Sequence, residues 1–103
     1  MFNLKEFQND LVLEPIVDKL NKFLSKNKTQ KVIKVIEELE SLLDQSEHAV
    51  PITYIFSILA EHDADLITER IIQKVETFLY SADIKLRVNS LIVIGFALLV
   101  NQS

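Results

Sequence analysis

The chain predicts an all-α fold, an α-solenoid of about three antiparallel helical hairpins, and three observations carry that prediction. One Gly and two Pro in 103 residues are too few for the many turns of an all-β protein, and they argue against a flexible linker. Apolar residues recur at three- and four-residue spacings in six successive segments, and no segment sustains the alternation of a strand. Pairs of these segments also recur at a fixed spacing.

Taken in order, the first segment places Leu4, Phe7, Leu11 and Val12 on one helical face behind Asn3 as N-cap. Pro15 then marks a boundary, because it suits the first turn of a new helix. That second helix carries Ile16, Val17, Leu20, Phe23 and Leu24 and ends in the polar run Ser25-Lys26-Asn27-Lys28-Thr29. Thr29 is the expected cap of a third helix with Val32, Ile33, Val35, Ile36, Leu39, Leu42 and Leu43. After a break at residues 44–47, a fourth helix is expected from about Ala49 to Glu61, with Pro51 in its first turn. Its inner face is Ile52, Ile55, Phe56 and Leu59. Asp63 or Asp65 would cap the fifth helix, which carries Leu66, Ile67, Ile71, Ile72, Val75, Phe78 and Leu79. Ser81-Ala82-Asp83 separates it from a sixth, which contains the longest apolar run of the chain, Leu91 to Val100.

A shift of 36 residues lays Val35, Ile36, Leu39, Leu42 and Leu43 on Ile71, Ile72, Val75, Phe78 and Leu79. The same shift lays Val50, Ile52, Ile55, Phe56 and Ile58 on Leu86, Val88, Leu91, Ile92 and Ile94. Helix pairs recurring at about 35–45 residues mark α-solenoids. Within residues 71–96, an apolar first helix is followed by an Asp-containing turn, the pair Leu86-Arg87, the small Ser90 and the pair Ile94-Gly95. This unit resembles a HEAT repeat, and residues 35–61 resemble one more loosely, with Pro51 and Leu59 where the family favours Arg and Gly. Ser81 likewise stands where many such repeats carry Asp. At 103 residues a single domain over residues 1–103 is expected. The resemblance implies a right-handed superhelix of antiparallel helix pairs used as an interaction scaffold, and it implies neither catalysis nor a particular partner. It also implies that Ser90 and Gly95 let neighbouring helices approach closely.

The composition narrows the classes further. Without cysteine, disulfides and thiolate zinc sites are excluded. The N-terminus lacks the basic and apolar regions of a secretory signal, so a cytoplasmic location is expected. The apolar run is shorter than the ~18–20 residues that span a bilayer. Residues 1–34 hold seven Lys against four acids, whereas residues 35–103 hold four basic side chains against eleven acids.

Three groups of residues are candidates for function. Glu47-His48 and Glu61-His62-Asp63 with Asp65 are the only clusters with metal-binding chemistry. They lie at helix ends with two His in all, so the expectation is no metal and no cofactor. No glycine-rich phosphate loop or nucleophile elbow is present, and the chain is expected not to be an enzyme. Lys19, Lys22, Lys26, Lys28, Lys31 and Lys34 surround the turn between the second and third helices. Lys is the ordinary solubilising residue, so a solvated face is the first reading. Docking against the acidic half of the chain or an anionic partner comes next, with nucleic acid or an anionic membrane as the alternative function. No Arg and no interleaved Tyr or Trp supports base stacking there. The favoured candidate is the last helix, where Val88, Ile92, Val93, Phe96 and Val100 are expected to face outward. Leu91, Ile92, Val93, Phe96, Leu99 and Val100 are the expected anchors of a protein interface. Either the N-terminal helices fold back over this surface, or another chain covers it, in which case a second copy or the subunits of a larger assembly would be the partner.

Overall fold

The computed structural model describes residues 12–101, with side chains described for residues 12–99. Five α-helices are present among them, and no strand: α1 (Leu13–Ser25), α2 (Thr29–Leu42), α3 (Ser46–His62), α4 (Glu69–Thr77) and α5 (Ile84–Asn101). Short 3₁₀ turns cover Ala64–Leu66 and Phe78–Tyr80. The all-helical expectation therefore holds. The helix expected over Leu4, Phe7 and Leu11 lies outside the described residues, apart from Val12, which is the residue before α1 and is exposed.

The chain forms two compact units, residues 1–48 and 49–103. In the first, α1 buries Leu13, Ile16 and Leu20 at helical spacing, and α2 buries Val32, Val35, Ile36 and Leu39. The two helices contact each other across a turn whose geometry is set by Asn27. Asn27 adopts φ 54°, the left-handed region that Asn enters more readily than most residues. Its N–H donates to Leu24 O (3.2 Å), and the N–H of Lys28 donates to Phe23 O (3.0 Å). This is the paired bonding of a Schellman ending, which satisfies carbonyls that the end of α1 would leave open. Thr29 is the first residue of α2 and makes no capping bond; Lys28 stands at the cap position. Pro15 is the third residue of α1, so that helix begins two residues earlier than Pro15 suggests. A first-turn N–H has no intrahelical partner anyway, which is why Pro is tolerated there.

In the second unit α5 contacts α4 and both 3₁₀ turns. Most of α3 belongs here, and it is buried nearly all round: Ile52, Thr53, Ile55, Phe56, Leu59 and Ala60 are each almost fully covered. Helix α3 also begins three residues before the expected Ala49, so Pro51 lies in its interior rather than in its first turn. A helix-interior Pro removes one backbone bond and costs about 3 kcal/mol, which the burial around it must offset. The cap of α4 differs as well. Asp63 accepts from the N–H of Asp65 (3.1 Å) and caps only the 3₁₀ turn. Ile67 then turns extended, and Thr68 caps α4 by accepting from the N–H of Ile71 (3.2 Å). Asp83 caps α5 as the break predicts, accepting from the N–H groups of Lys85 (2.9 Å) and Leu86 (3.3 Å).

One polar link fixes how α5 meets α3. The Thr53 hydroxyl donates to Ala49 O (2.8 Å), with Val50 O also near at 3.0 Å. The Asn89 amide nitrogen donates to Val50 O (3.2 Å) and to Thr53 Oγ1 (3.3 Å). Because Thr53 is fully buried, its hydroxyl is matched rather than stranded. Thr53→Val keeps the volume but leaves Asn89 with one fewer acceptor. It is expected to destabilise the fold by about 1 kcal/mol, read as a lower urea midpoint with unchanged slope.

Candidate interaction surface

Helix α5 has two apolar faces, and the chain covers one. At ~100° per residue, Leu86, Ser90, Val93 and Ala97 fall on a single stripe, and all four are buried. Ile84, Val88, Leu91, Ile92, Gly95, Leu98 and Leu99 fall on the opposite side, and all seven are exposed. Ile84 retains 65%, Leu91 58% and Leu99 64% of its accessible surface. The inner stripe alternates larger residues with the small Ser90 and Ala97, which lets that face press close to its neighbours. The Ser90 hydroxyl turns back to Leu86 O (2.7 Å), so it enters the core already bonded.

The outer side chains present on the order of 600 Å2 of apolar surface, at the upper end of the largest patch on a typical monomer. At ~25 cal/mol per Å2, covering it would release on the order of 15 kcal/mol before the costs of association. No carboxylate lies within α5, whose only charged residues, Lys85 and Arg87, are exposed on its two flanks near the N-terminal end, beside the capping Asp83.

Of the anchors read from the sequence, Leu91, Ile92 and Leu99 are exposed, and Phe96 is half-buried. Val93 is a correction: it is fully buried, because the inner face is the stripe holding Ser90 and Ala97, to which Val93 belongs. Its side chain is part of the core and cannot anchor a partner. The side chain of Val100 lies outside the described residues. Val88 faces outward as expected, and Ile84 and Leu98 complete the exposed stripe; the seven-residue spacing of Ile84, Leu91 and Leu98 is the signal that finds these two. Gly95 sits in the middle of this stripe, and an added Cβ there would meet no atom within 4 Å. The close approach implied for Gly95 by the repeat resemblance is therefore not made among the described residues, whereas Ser90 does lie against the core.

The basic candidates are all exposed. Lys22, Lys26, Lys28 and Lys31 form one electrostatic cluster. The charge of Lys28, followed by its hydrogen bond, slight desolvation, and the charges of Lys22 and Lys26, holds the Lys31 ammonium below the usual lysine range. Lys31 Nζ also stands 5.3 Å from the centroid of the Phe23 ring, a cation–π contact. Lys19 and Lys34 continue the patch one turn along α1 and α2. His48 and His62 lie towards opposite ends of α3; His48 is buried with its Nε2 3.6 Å from Glu47, and His62 is exposed. No three His, Asp or Glu side chains group as a metal site would require among the described residues. None of the described helices is long and apolar enough to cross a membrane.

No protein-family model, curated protein or solved structure matches the chain. The two faces of α5 lead to a direct contrast between neighbouring residues. Ile92→Lys is expected to leave the far-ultraviolet circular dichroism nearly unchanged and to keep a cooperative melt, because Ile92 is exposed. Val93→Lys places a charge in the core and is expected to destabilise by several kcal/mol, visible as loss of the cooperative melt.

Proposed function

We propose that this chain is a non-catalytic protein-interaction module, a segment of HEAT-like α-solenoid that binds another protein surface through the outer face of α5. The observation that carries this reading is the uncovered stripe from Ile84 to Leu99 on a helix whose other face is core. The internal repeat supports it. Under the 36-residue shift, Val88, Leu91 and Ile92 correspond to Ile52, Ile55 and Phe56 of α3, which are almost fully buried. In a solenoid each hairpin covers the one before it, and a terminal hairpin normally carries a polar outer face. Helix α5 has the sequence of a covered hairpin and the exposure of a terminal one, so its cover comes from another polypeptide surface, in self-association or a larger assembly.

The test is binding of an apolar fluorescent dye, with solution mass measured over a range of concentrations. Wild-type protein is expected to bind dye or to associate, and Leu91→Lys to lose both while keeping its helicity. A wild-type protein that neither associates nor binds dye would overturn the proposal.

A second reading is favoured by the crowding of Lys28, Lys22 and Lys26 around Lys31. Like charges held together are relieved by an anion, so this surface would take phosphate-bearing or acidic partners. Binding to a nucleic acid or to anionic vesicles is then expected to weaken steeply with salt, and Lys31 is expected to return towards its ordinary pKa of 10.5 on loading. Salt-insensitive binding would remove this reading.

A further inference from the structure

We infer that the occupant of the α5 face is a second copy of this chain, packed through an antiparallel α5–α5 contact about a two-fold axis between Leu91 and Ile92. The inference rests on the reading of this face as a binding surface and adds its partner, orientation and register.

The spacing of the exposed residues carries it. In a two-fold interface residue i of one copy meets residue j of the other, and j meets i. For two antiparallel helices this requires a stripe that reads the same in both directions. The stripe Ile84, Val88, Leu91, Ile92, Gly95, Leu99 does: reversed about the midpoint of Leu91 and Ile92, it falls on itself. Ile84 then meets Leu99, Val88 meets Gly95, and Leu91 meets Ile92, each pair made twice. The row Ile84-Val88-Ile92 is one four-residue ridge of the helix surface and Leu91-Gly95-Leu99 is another. The two-fold exchanges them, so the ridge of each copy lies along the complementary ridge of the other.

Gly95 acquires a partner in this register. An added Cβ would touch nothing among the described residues, so its empty space is a notch on an otherwise bulky stripe. The antiparallel register places a branched Val88 over that notch from each side, and a notch lets the two backbones approach closely. A parallel arrangement would instead stack the two notches on each other and leave a gap.

Charge selects the same orientation. Lys85 and Arg87 flank the stripe near the start of α5, and no acid lies on the helix. Parallel packing would bring four cationic side chains together. Antiparallel packing carries each Lys85 to the partner's Leu98, where its aliphatic stem extends the apolar contact. Its ammonium then reaches the last turn of the partner helix, whose open carbonyls carry partial negative charge. The patch, on the order of 600 Å2 per copy and enlarged by these stems, approaches the ~800 Å2 per partner of a standard interface.

The chain has no cysteine, so single cysteines report the register directly. Leu91→Cys, beside the axis, is expected to form a disulfide-linked dimer on mild oxidation. Ile84→Cys and Leu99→Cys should each stay unlinked alone and cross-link to one another when mixed. Wild type is expected at twice 11.8 kDa in solution, and Gly95→Leu to raise the dimer dissociation constant by about tenfold or more. All four positions are exposed, and circular dichroism of each variant checks that it folds. Cross-linking of Ile84→Cys to itself would overturn the antiparallel register, and so would no link between the two mixed variants. A wild type that stays monomeric at its highest soluble concentration, yet binds apolar dye through Leu91, would overturn the dimer while leaving the interaction surface standing. A monomer that binds no dye would overturn both.

Discussion

Apolar surface can be removed from water only by being covered, and α5 carries more of it than its own unit covers. A helix of a globular domain usually resolves this with one apolar stripe and one polar one. Here the outer positions that would hold Lys and Glu hold Ile84, Leu91, Leu98 and Leu99. The described fold is organised around that imbalance: α4 and the two 3₁₀ turns pack against α5, the Asn89 link joins it to α3, and all of this leaves the opposite stripe open.

Which face turns inward is decided by polar chemistry rather than by hydrophobicity. With apolar residues on both sides, burial alone favours either face nearly equally. Asn89 breaks the tie, because its amide finds Val50 O and Thr53 Oγ1 in only one rotation of the helix. Small Ser90 and Ala97 then let that rotation pack closely. A non-directional force drives the helix onto its neighbours, and two hydrogen bonds set its phase.

The same division explains how much was legible in the sequence. Helices with one apolar stripe are the most legible: α1 and α2 bury Ile16, Leu20, Val32, Val35, Ile36 and Leu39 where periodicity puts them, although Ile33 is exposed and Glu40 buried, and Asp83 caps α5. Helix starts were less legible where several good caps compete. Asp63 and Asp65 precede apolar Leu66 and Ile67, but an extended Ile67 resets the chain and passes the cap to Thr68. Pro51 suggested a helix start, yet α3 begins well before it. The phase of α5 was the least legible feature of the candidate surface. Leu91, Ile92 and Leu99 face outward, but Val93 does not, because a run without polar residues carries no rotational signal. The information lay before the run, in Asn89 and Ser90, and in the seven-residue spacing from Ile84.

In the proposed dimer, Gly95 would place stability and association in opposition. Glycine in an exposed helix interior is worse than alanine by ~1 kcal/mol, and nothing in this chain would clash with the added methyl. For the isolated polypeptide almost any helix-forming residue would be an improvement. A position left below its stability optimum is ordinary in a protein whose total margin is only of the order of 5–15 kcal/mol, and in the proposed dimer the facing Val88 would hold Gly95 there. Selection for thermal robustness alone would therefore fill this position early, and if the chain pairs as proposed, the resulting protein would fold better while assembling worse.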